Sequence, residues 1–205
     1  MSTTDRATLT GFALLMALCS TSCLRGKGVS PEVRPLEWHS VPQEPGQGDT
    51  LAAVRLVRRT LGTSPPPIVE AYARVPIGGR SFLVVQAEST HGTGFYQTAF
   101  YVFSGDEADS RVVLTALASE RATPNRLMGT AGYRIRGCLL SAGPDALAYQ
   151  AQSSDPRQQT ADSEAIEVRG SPAAHAPGIY RWSPADSVFA FARATGAERT
   201  PACSP

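Results

Sequence analysis

An α+β fold, with one N-terminal helix packed on a mainly antiparallel sheet, follows from three features of the sequence. One segment, Asp49–Leu61, carries a helical apolar stripe. After Pro65-Pro66-Pro67 the apolar period shifts toward two. Short links containing Gly or Pro then join successive apolar runs, the pattern of an antiparallel meander. The same strands could instead form an all-β sandwich or a partial barrel. The 18 glycines and 16 prolines weigh against long helices, and 42% hydrophobic residues suffice for a core.

The helix has a start, a stripe and a stop. Asp49 or Thr50 can cap its first turn. Leu51, Val54, Val57 and Leu61 recur at spacings that bring them to one face, while Arg55, Arg58 and Arg59 fall outside it. The arginines suit the negative end of the helix dipole, and Gly62 ends the helix. Strands are expected at Ile68–Val75, at Ser81–Glu88 and at Phe95–Phe103, the last with aromatics on both faces. Asp106–Ser119 is ambiguous. Val112 and Val113 favour a strand, but Ala108, Val112, Leu114 and Leu117 match a helical face better. A loop is expected at Glu120–Gly132. Tyr133–Leu140 and Ala146–Gln152 read as a hairpin around the turn Gly143-Pro144-Asp145. Further strands are expected at Glu164–Val168, Ile179–Trp182 and Val188–Arg193.

The N-terminus reads as an export segment. Ala7–Leu24 has no charged residue; Arg6 precedes it, and Ser20, Thr21 and Ser22 supply small residues for cleavage. The chain is thus expected to divide into a signal peptide at 1–22, a flexible Pro/Gly-rich leader at 23–48 and one globular domain at 49–205. Ser20-Thr21-Ser22-Cys23 resembles the lipobox of bacterial lipoproteins, with Ser20 where that motif usually carries Leu. The resemblance implies lipidation of Cys23 and a membrane tether in the cell envelope. Simple cleavage, giving a soluble periplasmic or secreted protein, and an uncleaved anchor remain the other fates. Removal of Cys19 and lipidation of Cys23 would leave Cys138 and Cys203, an even pair expected to form a disulfide in an oxidising compartment.

Little in the chain points to catalysis. A formal net charge of +1 gives no reason to expect nucleic acid as a partner. The three histidines, His39, His91 and His175, lack metal-ligand spacing, so neither metal nor other cofactor is expected. Glu88–Gly94 combines a carboxylate, hydroxyls and an imidazole; Ser89 and His91 could contact a partner, and could serve a hydrolase only if a third group oriented them. Arg134 and Arg136 share a strand face that could meet an anionic partner. Tyr96, Tyr101, Tyr180 and Trp182 are the aromatics that could mark an interface. Three readings follow: a non-catalytic binding, accessory or inhibitor protein of the envelope with a protein or cell-wall partner; a small secreted hydrolase; and a structural subunit of an envelope assembly.

Overall fold

The structure is a computed structural model that describes residues 32–41, 49–62, 67–92, 94–105, 109–124, 132–154, 168 and 171–194. The chain divides into Met1–Ser30 and Pro31–Pro205, and all described residues lie in the second unit. The segment expected to direct export, Cys23 and Cys203 therefore lie outside the described residues, as does nearly all of the strand expected at Glu164–Val168. Among the described residues no helix is long and apolar enough to cross a membrane.

In chain order the elements are β1 (Val33–Pro35), β2 (His39–Ser40), α1 (Asp49–Leu61), β3 (Val69–Ile77), β4 (Arg80–Gly92), β5 (Phe95–Ser104), β6 (Arg111–Ala122), β7 (Tyr133–Ala142), β8 (Ala146–Ser153), β9 (Ala173–Ala174), β10 (Gly178–Ser183) and β11 (Val188–Ala194). The strands make one sheet in the order β11-β10-β8-β7-β6-β5-β4-β3-β2. Its pairings are antiparallel apart from β9, which runs parallel to β6. The expected architecture stands: a single N-terminal helix packs against a large antiparallel sheet that does not close into a barrel.

Helix α1 spans the expected residues. It buries Ala53, Val54, Leu56 and Val57 and leaves Arg55, Arg58 and Arg59 exposed. The Thr50 hydroxyl donates to the Tyr72 hydroxyl at 3.3 Å, which sets the helix on the Tyr72 face of β3. Tyr72 pairs with Val85, so the residues alternating with Val85 on β4 (Phe82 and Val84) point away from the helix.

That other face is covered by the sheet itself. In a flat sheet β4 and β10, five strand spacings apart, would stand about 24 Å from each other. Instead Phe82 meets Trp182 at 4.8 Å and Phe189 at 5.3 Å between ring centroids. The sheet therefore curls until β10 and β11 lie over β4, and the β3–β4 and β7–β8 turns join where Gly78 N–H donates to the Pro144 carbonyl. The curl begins at a fork. β6 and β7 pair only over Ser119–Ala122 and Tyr133–Arg136. Beyond it β9 takes the vacated side of Thr115 and Ala116, while β1 takes that of Leu140–Ala142.

Two expectations need correction. Within Asp106–Ser119 the described residues are not helical: β6 runs from Arg111 to Ala122, and Val112–Ala118 are buried without a break. A strand covered on both faces loses its alternation, so its apolar positions mimic a helical stripe. The stretch expected as leader contributes two strands, with β1 paired to β7 and β2 paired to β3. The expected disulfide can be followed only at Cys138, which is disulfide-bonded; Cys203 lies outside the described residues. Cys138 is the one cysteine among the described residues, and on β7 it packs beside the small cluster of Leu140, Ala142, Ala146, Ala148 and Ile179.

Candidate functional site

The β4–β5–β6–β7 end of the sheet collects most of the polar residues singled out in the sequence. Register does this. His91 stands opposite Tyr96, Tyr96 opposite Arg121, and Arg121 opposite Arg134. The Ser154 N–H donates to the Arg134 carbonyl at 2.8 Å, which continues the row to the end of β8. Paired residues of an antiparallel ladder point to one face, so Tyr96, Arg121 and Arg134 share a side, and all three are exposed. Arg136, two residues along from Arg134, is exposed on that face as well. A pocket of about 240 Å³ opens between these strands, lined by Arg121, Thr123, Tyr133, Arg134 and Ser154 among others.

The opposite face of the same strands carries a buried polar chain. Ser89 Oγ donates to Gln97 Oε1 at 2.7 Å. Gln97 Nε2 donates to Glu120 Oε2 at 2.8 Å, and the Tyr133 hydroxyl donates to Glu120 Oε1 at 2.5 Å. Gln97 is fully buried and Glu120 nearly so. Burying these groups is affordable only because each carboxylate oxygen receives a donor. A second chain runs along the neighbouring strands: Gln86 Nε2 donates to Glu70 Oε2 at 2.5 Å and the Tyr96 hydroxyl to Glu70 Oε1 at 2.8 Å. Burial foremost, then the Glu70 hydrogen bond and charge and the nearby Glu88 charge, hold the Tyr96 phenol well above its ordinary value.

This arrangement bears on each expected site residue. Ser89 and His91 sit on β4, not in a loop, and the Ser89 proton goes to Gln97 instead of a base. A nucleophilic serine needs its hydroxyl to donate to a base that is oriented by a third group. Tyr96, Arg134 and Arg136 are brought together. Trp182 is not with them: it is buried against Phe82 and Phe189, beneath the Arg80 guanidinium at 5.9 Å. Tyr101 and Tyr180 are buried too. Arg121 was missed, because its neighbours in sequence mark nothing and only the β6–β7 register sets it opposite Arg134. No group of three or more potential metal-ligating side chains occurs among the described residues. No protein family, curated protein or solved structure matches the chain.

Proposed function

We propose that this chain is a non-catalytic docking subunit of an envelope assembly, exported by residues 1–22 and tethered through a lipid on Cys23. The observation that carries the non-catalytic part is the commitment of the polar groups at the candidate site to one another. Ser89, Gln97, Glu120 and Tyr133 form one hydrogen-bonded chain; Gln86, Glu70 and Tyr96 form another. Chains of this kind stiffen a fold and leave the exposed row of Tyr96, Arg121 and Arg134 as the face to meet a partner. The S-T-S-C sequence ending at Cys23 supports the tether.

Two measurements on protein made in an exporting bacterium test this. Intact-mass spectrometry of the membrane-extracted chain should give the mass of a chain starting at Cys23 plus acyl groups, and Cys23→Ser should abolish both cleavage there and the added mass. A photo-crosslinking residue in place of Tyr96 should give a discrete higher-mass adduct in cells, whereas one in place of Arg193, on β11, should not. An unacylated chain cleaved elsewhere would refute the tether. Equal adducts from both positions, or none, would refute docking through this face.

A further inference from the structure

We propose that Arg121 and Arg134 form a binding site for a phosphate-ester dianion, with the Ser154 hydroxyl as a third donor. The site deepens the docking reading above by giving that face a ligand chemistry.

The argument starts from a pairing that a sheet ordinarily avoids. Two arginines directly opposite each other on an antiparallel pair have Cβ atoms about 5 Å apart, and like charges in that position destabilise the sheet. Among the described residues nothing offsets them. Neither side chain has an ion-pair partner among the described residues. Glu120, the acid adjacent to Arg121, points to the opposite face, where Gln97 and Tyr133 occupy its oxygens. Arg136 adds a third positive charge on the same side. The concentration is local, since the whole chain carries a formal net charge of only +1.

The surroundings suit an oxyanion. Arg121 and Arg134 both line the pocket of about 240 Å³, which is large enough for one phosphate group and part of what it is attached to. Ser154 Oγ accepts the Arg134 N–H at 2.9 Å, which leaves the serine proton to donate into the pocket. The Thr123 hydroxyl donates to the Gly94 carbonyl at 3.1 Å and fixes the rim. Guanidinium groups bind phosphate oxygens through paired N–H donors. A dianion can satisfy two opposed forks at once, whereas a single carboxylate matches one. A soluble phosphate ester and a phospholipid headgroup share this chemistry.

The test uses the full chain with two probes at fixed ionic strength: glycerol 3-phosphate by calorimetry, and phosphatidic acid vesicles against phosphatidylcholine vesicles by co-sedimentation. Arg121→Gln and Arg134→Gln are compared with Arg193→Gln, an exposed arginine on β11. Glycerol 3-phosphate affinity that falls at least tenfold in both site variants and holds in Arg193→Gln supports the site with a soluble ester as ligand. The same dependence seen only on phosphatidic acid vesicles supports it with a headgroup as ligand. Binding of neither probe, or equal weakening in Arg193→Gln, overturns it. Without ligand, both site variants should melt about 1–3 °C higher than the parent as the like-charge contact is relieved; a lower melting point overturns the premise. The crosslink from position 96 keeps the two readings apart. An adduct that persists without phosphate binding refutes the pocket alone, and phosphate binding without an adduct refutes docking alone.

Discussion

Glu120 has the most demanding environment of any carboxylate described. It is 1% exposed and is held by an amide and a phenol, with no cation beside it in the hydrogen-bonded chain. Removing it strands both donors. Glu120→Ala should therefore cost about 2–4 kcal/mol, read as a lower urea midpoint at unchanged slope. Glu120→Gln keeps one acceptor oxygen and a similar shape and should cost roughly half as much. A loss below about 0.5 kcal/mol for the alanine variant would mean that Gln97 and Tyr133 find other partners. The sequence marks Glu120 only as the start of a loop, because a polar residue buried by its hydrogen bonds has no pattern of its own. Arg134, Arg136 and Tyr96 were legible one by one, as polar or aromatic residues on alternating strands. Their meeting with Arg121 was not, since it depends on which residues pair across β5, β6 and β7.

Among the elements, β6 and β7 carry the sharpest steric requirement. A Cβ on Gly137 would lie 1.8 Å from the Leu117 carbonyl oxygen and 3.1 Å from Tyr149 Cε2. This is where the two strands part, and the Leu117 backbone takes the space of a side chain. Gly137→Ala should lose roughly 3 kcal/mol or more. Gly62, which ends α1 at φ +59 with nothing within 4 Å of its would-be Cβ, provides the comparison. Gly62→Ala should cost only about 1 kcal/mol, for the left-handed backbone. Thermal melts of both variants check the order, and equal losses would mean that the fork relaxes around an added methyl. Helix α1 was legible because it is solvated on one side: Arg55, Arg58 and Arg59 outline its stripe. The β7–β8 hairpin was legible through alternation and its turn. The inner strand β6 lacks both cues and imitates a helix.

For the whole molecule, the curled sheet buries phenols. Tyr101 and Tyr149 are 1% and 3% exposed. Burial raises both hydroxyls far above their ordinary value, helped at Tyr149 by Tyr180 and Glu120. In the unfolded chain these groups ionise near pH ~10, while in the folded chain they keep their protons. The folded state thus binds more protons at alkaline pH, and stability must fall as pH rises above ~10. The loss should be visible in denaturant midpoints measured between pH 8 and pH 11.5, and Tyr101→Phe should flatten it; an unchanged slope would mean that Tyr101 is reached by solvent. The antiparallel class of the sheet was legible from short links and alternation, but its curl was not. Phe82, Trp182 and Phe189 are distant in sequence and meet only when β10 and β11 swing over β4. The first strands depend on that curl as well. β1 is hydrogen-bonded to β7, β2 to β3, and between them lie only residues 36–38, with Leu36 buried and Trp38 stacked on Phe100 of β5. A link that short cannot reach both docking places until β3–β8 have assembled and bent. The pairing of Val33 with Ala142 also closes a loop of more than a hundred residues, and contacts so distant in sequence form slowly. This segment, made before the rest of the domain, is thus the last to find its place, and its arrival signals that the rest of the domain is finished.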